Sequence, residues 1–176
     1  RFLKPGGVML PQRLKQFVAP VIGDRLFQDI NIWDRVGYGL DLSLAREASL
    51  QNMYVKTLKP DELLPHSIKE GDHLDFRRDE GSVRNATLQW EMEKPVTIYG
   101  FALWWSCEII EGITIATGPD DPATHWEQIY LPVLKPIVLK KGEALHLELT
   151  SDSRFEVKIN LEWCVNGQSL DMKRGS

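Results

Sequence analysis

Cysteine is nearly absent: Cys107 and Cys164 are the only two in 176 residues, too few for a disulfide framework. Their strand parity differs as well. Cys107 is in phase with Leu103, Trp105 and Ile109, whereas Cys164 sits on the polar phase of its strand. Both read as reduced thiols of an intracellular, cytoplasmic chain. No apolar run approaches the roughly 18 residues that a membrane-spanning helix needs, and no secretory leader pattern is present, so no membrane partner is expected. Basic residues never run longer than two, and 21 basic against 25 acidic side chains leave a net charge of −4. That excludes the basic stripe of a nucleic-acid footprint.

Motifs for several chemistries are also missing. The four histidines, His66, His73, His125 and His146, form neither an H-x-H nor an H-E-x-x-H pattern, so no metal ligand is assigned. No G-x-S-x-G elbow supports a nucleophilic serine. Gly37-Tyr38-Gly39 lacks a strand–turn–helix context and reads as a loop, so no cofactor-binding residue is assigned either. Glu108 and Glu111 stand three residues apart at a strand end, unlike an acid/base dyad. Arg77-Arg78 beside Asp79-Glu80 reads as a solvated turn.

What is present is a period of two. Leu74 and Phe76 alternate with charges, as do Leu88, Trp90 and Met92, then Leu145, Leu147 and Leu149. Phe155, Val157, Ile159, Leu161, Trp163 and Val165 continue the pattern. These are half-buried antiparallel strands with one wet face. Val96 to Ile110 is apolar on both phases and reads as a central strand, with Gly100 as a bend or bulge. Trp90, Trp105 and Trp163 fall on core phases, where indoles pack. The expected fold is mainly β: one antiparallel, sandwich-like β-barrel over residues 1–176, its main strands at about 66–167. A helical island interrupts it. Leu26, Ile30 and Trp33 recur at helical spacing with Phe27 alongside, and a second short helix reads from Leu44 to Asn52, capped by Ser43 or Asp41. Its apolar face could close over the barrel end or project towards another molecule.

The stretch that looks most like a site is Gly118-Pro119-Asp120-Asp121-Pro122-Ala123-Thr124-His125-Trp126-Glu127-Gln128. Its glycine and prolines make it a loop, flanked by the strand-like Ile113–Thr117 and Ile129–Leu131. A histidine beside a tryptophan places a titratable group next to a flat apolar surface, suited to a planar cation or a carboxylate. The plainer alternative has Trp126 filling a core and His125 solvated.

Thr124-His125-Trp126 after a proline-rich loop resembles the threonine–histidine–tryptophan signature in the C-terminal barrel of the protein arginine methyltransferases. The Lys140-Lys141-Gly142-Glu143 hairpin and the strand Val157–Trp163 resemble the same barrel. Trp33–Ser43 is similar to the family's dimerisation-arm region, and Leu3-Lys4-Pro5-Gly6-Gly7 resembles a turn near the end of the catalytic half. The resemblance implies that residues 1–10 are the tail of an upstream catalytic methyltransferase domain. It implies an arm over about residues 23–50 that docks on a second copy through Phe27, Ile30, Trp33, Tyr38 and Leu40. His125 would orient a carboxylate of the catalytic half, while Trp126 and Thr124 would flank the side chain of a protein arginine substrate. S-adenosylmethionine would be the cofactor of the parent protein, with no site for it in this chain, which would not be catalytic alone. Two features depart from the family pattern: the short turn at Ser151–Arg154 and the pair Trp104-Trp105. The alternative is a freestanding β-sandwich binding module for peptide or carbohydrate.

Overall fold

The computed structural model describes residues 4, 6–78, 81–154 and 159–175. Among these residues ten strands and two short helices follow in the order β1 (Arg13–Val21), α1 (Arg25–Ile30), α2 (Ser43–Leu50), β2 (Tyr54–Lys56), β3 (Lys69–Asp75), β4 (Val83–Glu91), β5 (Val96–Ile110), β6 (Ile113–Ala116), β7 (Gln128–Leu139), β8 (Ala144–Asp152), β9 (Asn160–Val165) and β10 (Gln168–Asp171). Single 3-10 turns lie at Ile32–Arg35, Pro60–Glu62 and Met172–Arg174.

β5, apolar on both phases, is the centre of the larger sheet. Its neighbours are β1 and β7, in the order β2-β7-β5-β1-β3, and β6 folds back on its far end. The second sheet runs β10-β9-β8-β4, and every pairing in both sheets is antiparallel. No backbone ladder joins the two sheets among the described residues, so the fold is a sandwich rather than a closed barrel. The free edges of β3 and β4 are bridged by Arg84, whose guanidinium donates to both Asp72 carboxylate oxygens and, at 2.8 Å, to the His73 carbonyl.

The inward phases meet as their alternation predicts. Phe101 and Leu103 of β5, Leu145, Leu147 and Leu149 of β8, and Leu161, Trp163 and Val165 of β9 are buried together. Each such side chain contributes on the order of 2 kcal/mol by leaving water. The indoles of Trp90 and Trp163 satisfy their N–H groups on the carbonyls of Ser67 (2.6 Å) and Pro132 (2.9 Å). Trp105 departs from the expected core position: it is only half-buried, and its neighbour Trp104 is the buried one, stacked on Phe17 at 6.1 Å. Cys107 is buried, Cys164 half-buried, and both are free.

Gly100 marks the bend in β5. Its register with β7 jumps there, from Gly100 opposite Pro132 to Ile98 opposite Ile137. A Cβ at Gly100 would lie 2.6 Å from Tyr130 Cε2 and collide with the Leu131 carbonyl. The β7 residues skipped by that jump turn towards the second sheet, where Lys135 exchanges two hydrogen bonds with the Gln168 side chain. Pro132 and Pro136 are tolerated because β2 pairs only with Gln128–Tyr130, which leaves that side of β7 open. Strands β2 and β10 are too short to show a period.

The helical island is rooted at two points. The Arg25 guanidinium donates to Glu62 Oε1 at 2.7 Å and to Oε2 at 2.8 Å, and it also reaches the Thr57 carbonyl. Arg46 on α2 donates to Asn31 Oδ1 (2.6 Å) and to the Leu134 carbonyl of β7 (3.0 Å). Asp41 accepts from the Ser43 N–H at 3.0 Å at the start of α2.

Two of the five expected arm contacts are corrected here. Phe27 and Ile30 are buried in the chain's own core, Phe27 lying 5.8 Å from the Tyr99 ring. A six-residue helix has no stability of its own, so its one apolar face must hold it to the sandwich. Trp33 is half-buried and donates to Ser49 Oγ at 2.7 Å. Tyr38 (89% exposed) and Leu40 (65%) do face solvent, as do Ile32, Val36 and Leu44. Phe155, Val157, Leu3, Pro5 and the Asp79-Glu80 pair lie outside the described residues.

Candidate functional site

The loop between β6 and β7 is tied down at its two ends. Thr117, buried, donates through its N–H (3.0 Å) and its hydroxyl (3.1 Å) to the Trp105 carbonyl. The buried Gln128 side chain donates to the Thr117 carbonyl at 2.8 Å and accepts the Leu58 N–H at 2.9 Å. One amide therefore closes the loop and also joins it to the segment after β2. At the entry, Gly118 donates to Asp121 Oδ2 and accepts the Asp121 N–H. A Cβ at Gly118 would sit 2.9 Å from Trp104 Nε1, so the turn lies directly on that indole.

Within this frame Thr124, His125 and Trp126 are all exposed. Thr124 uses its hydroxyl locally, donating to the Trp126 carbonyl (2.9 Å) and accepting the Trp126 N–H (3.2 Å). It shapes the backbone that presents Trp126. The Trp126 ring meets His125 edge-on at 6.1 Å and Trp105 at 5.5 Å, with 66° between the two indole planes. Glu127 accepts the Thr57 hydroxyl proton. Below this rim an apolar cleft of about 360 Å³ opens between the sheets, lined by Leu103 and Trp105 of β5, Ile129 of β7, Leu149 of β8 and Leu161 of β9.

The structure thus brings Trp126 and His125 together with Glu127 of the same stretch and with Trp105, which alternation places in the core, while Gln128 closes the loop. The available signals were slight: a lone glutamine opening an apolar strand, and a tryptophan on an apparently inward phase. The arm residues Tyr38 and Leu40 line no part of this cleft.

Two ligand classes are poorly served. Among the described residues no group of three His, Cys, Asp or Glu side chains could hold a metal ion. The passage from β1 through Gly23 into α1 is the strand–turn–helix connection nearest to a cofactor cradle, yet it has a single glycine. The space above it is taken by Glu62, whose Cγ would be 2.9 Å from a Cβ there. A nucleotide-like cofactor does not fit at that turn. No helix among the described residues is long and apolar enough to cross a membrane.

Residues 13–168 match the arginine methyltransferase oligomerization subdomain. The chain belongs to that family. Among curated relatives, it is 31% identical over 163 residues to protein arginine N-methyltransferase 6 of Xenopus laevis, covering 85% of this chain and 47% of that one. It is 25% identical over 189 residues to the probable protein arginine N-methyltransferase 6.2 of Oryza sativa subsp. indica, covering 85% and 48%. The chain spans about half the length of these curated relatives. In fold it is similar to a chain of the Trypanosoma brucei PRMT1 enzyme–prozyme heterotetrameric complex with AdoHcy (TM-score 0.77, 17% identity, 96% of this chain and 57% of that one). It is also similar to protein arginine methyltransferase 10 of Arabidopsis thaliana (TM-score 0.62, 21% identity, 96% and 60%). This oligomerization subdomain is the sandwich together with the helical island packed on it.

Proposed function

We propose that this subdomain serves a cytoplasmic S-adenosylmethionine-dependent protein arginine methyltransferase, pairing two copies and walling the substrate side of a catalytic half contributed by the upstream part of the protein. The observation that carries the reading is the segment 32–44. Five large apolar side chains (Ile32, Val36, Tyr38, Leu40 and Leu44) are exposed there on a piece of chain held firmly by Arg25–Glu62 and Arg46. Exposed apolar groups on an anchored segment suit burial against a partner. The family match to an oligomerization subdomain supports the same role, which favours it over a freestanding carbohydrate or peptide module.

The cofactor would supply the methyl group in such a protein, and the Gly23 turn, filled by Glu62, is not built to hold it. What this subdomain contributes is position. On this reading Trp126, presented by Thr124, would offer an apolar wall to the stem of an arginine side chain, and the exposed His125 would orient a carboxylate of the catalytic half. Substituting Tyr38→Asp together with Leu40→Asp is expected to convert the dimeric protein to a monomer in sedimentation equilibrium without changing its circular dichroism. In the complete methyltransferase, Trp126→Ala is expected to lower kcat/KM for a peptide arginine with the fold intact. A dimer that survives the first pair, or unchanged kinetics in the second variant, would refute the corresponding role.

A further inference from the structure

The cleft under the 117–128 loop has a rim that the wall role leaves unexplained. Two indoles, Trp105 and Trp126, meet at 66° with centroids 5.5 Å apart, so they form a corner rather than a stack. Trp126 is 51% exposed, which leaves its surface open to a ligand. Glu127, Met53 and His125 line the same cleft, and one Glu127 carboxylate oxygen accepts from the Thr57 hydroxyl while the carboxylate keeps its charge. Behind them the walls are aliphatic: Val55, Leu103, Leu149, Ile159 and Leu161.

An aromatic corner with one carboxylate beside it attracts a cation through the negative faces of the rings. The apolar depth selects which cation. A bare guanidinium carries five N–H donors and an ammonium three, and each donor buried without an acceptor costs free energy. The lining offers few acceptors: Glu127, Gln16, Ser151 and the imidazole. Methyl groups replace donors by apolar surface while the positive charge remains, now spread and weakly hydrated. A volume of about 360 Å³ accommodates such a head group and part of its stem.

We infer that the Trp105–Trp126 corner, with Glu127 as counter-charge, is a binding site for a methylated cationic side chain, a methylated guanidinium or ammonium group of a protein partner. The residues that line it all belong to this chain. It shares Trp126 with the proposed function but does not depend on it, since binding is read on the isolated 176 residues and catalysis is not.

The test is quenching of tryptophan fluorescence in the 176-residue chain by short peptides that differ only at one side chain. These carry dimethylarginine, trimethyllysine, unmodified arginine or unmodified lysine, with tetramethylammonium ion as the bare cation. Saturable quenching is expected from both methylated peptides, at least about tenfold tighter than from their unmodified counterparts, equivalent to 1.4 kcal/mol. Trp126→Leu is expected to weaken binding about tenfold or more, and Glu127→Gln several-fold with a reduced dependence on salt. Tetramethylammonium distinguishes the source of binding: saturation by it locates recognition in the cation itself, as the inference requires. Because Trp126 and Glu127 are exposed, both variants should keep the thermal midpoint of the parent chain. Absence of saturable quenching by every methylated ligand, equal affinity for methylated and unmodified peptides, or retention of affinity within about twofold in Trp126→Leu would overturn the assignment. Failure of the kinetic test on the complete methyltransferase would leave these outcomes untouched.

Discussion

The clamp at the root of the arm makes an asymmetric prediction. Glu62 is the buried partner, its side chain 11% exposed, whereas the Arg25 side chain is 43% exposed. Hydrogen bonding to Arg25 holds the Glu62 carboxyl below its ordinary value of 4.5, against burial, which pushes it upward. Removing the arginine (Arg25→Met) strands a buried carboxylate whose remaining bond is the Lys59 N–H at 2.9 Å. An uncompensated buried charge of this kind costs about 3 kcal/mol. Removing the charge instead (Glu62→Gln) leaves an arginine that water can reach and retains an amide able to accept from it, so about 1 kcal/mol is expected. For a chain of this size the larger loss corresponds to roughly 6–12 °C in Tm.

The sign with pH follows from the same geometry. A carboxylate whose folded pKa is depressed stabilises the fold fully above its unfolded value of 4.5, and that contribution is lost as pH falls through the folded value. In Arg25→Met the largest lowering influence is gone and burial outweighs what the Lys59 N–H and charge still supply, so the carboxyl moves upward and acid relieves the strain. The stability gap between parent and Arg25→Met should therefore narrow from about pH 7 to about pH 4. Urea titrations followed by tryptophan fluorescence at both pH values measure it. A gap that stays constant, or a Glu62→Gln loss equal to that of Arg25→Met, would refute the reasoning.

Gly100→Ala places a methyl against Tyr130, whose ring is fully buried, and is expected to cost about 3 kcal/mol by overpacking; a thermal scan showing a loss below about 1 kcal/mol would count against that account. Asp152, bonded by the Arg154 guanidinium and backbone N–H, has its carboxyl lowered to about 2 from 3.8. Carbon-detected NMR titration should find it ionised well into acid, with Arg154→Met returning it towards 3.8, and the stability it lends is expected to fade only as pH drops towards about 2.

Much of the scaffold was legible because burial on one sheet face imposes a period of two. The central strand was readable to its ends, Val96–Ile110, since a strand covered on both faces has no polar phase. Gly100 was readable as a bend because glycine inside such a strand marks a close approach. The segments that escaped were β2 and β10, with too few residues to show a period, and the part of β7 beyond Leu131, where Pro132 and Pro136 interrupt the pattern. The site was legible as a loop and as Thr124-His125-Trp126. Its second indole, Trp105, read as core because alternation gives the face of a side chain without saying whether the opposite sheet extends far enough to cover it.

By itself the chain determined where most strands lie, where turns break them, and that the proline-rich stretch opening at Gly118 is a loop. These are local outcomes of side-chain pattern and backbone freedom. Only the tertiary structure decided which apolar groups remain outside. Phe27 and Tyr38 are both aromatic residues in one helical excursion, yet one is packed on Tyr99 and the other stands in solvent. Likewise Trp104 and Trp105 are adjacent, and one is covered by Phe17 and the Gly118 turn while its neighbour opens onto a cleft. Coverage depends on what distant segments bring to each face, and a linear pattern contains no distance between segments.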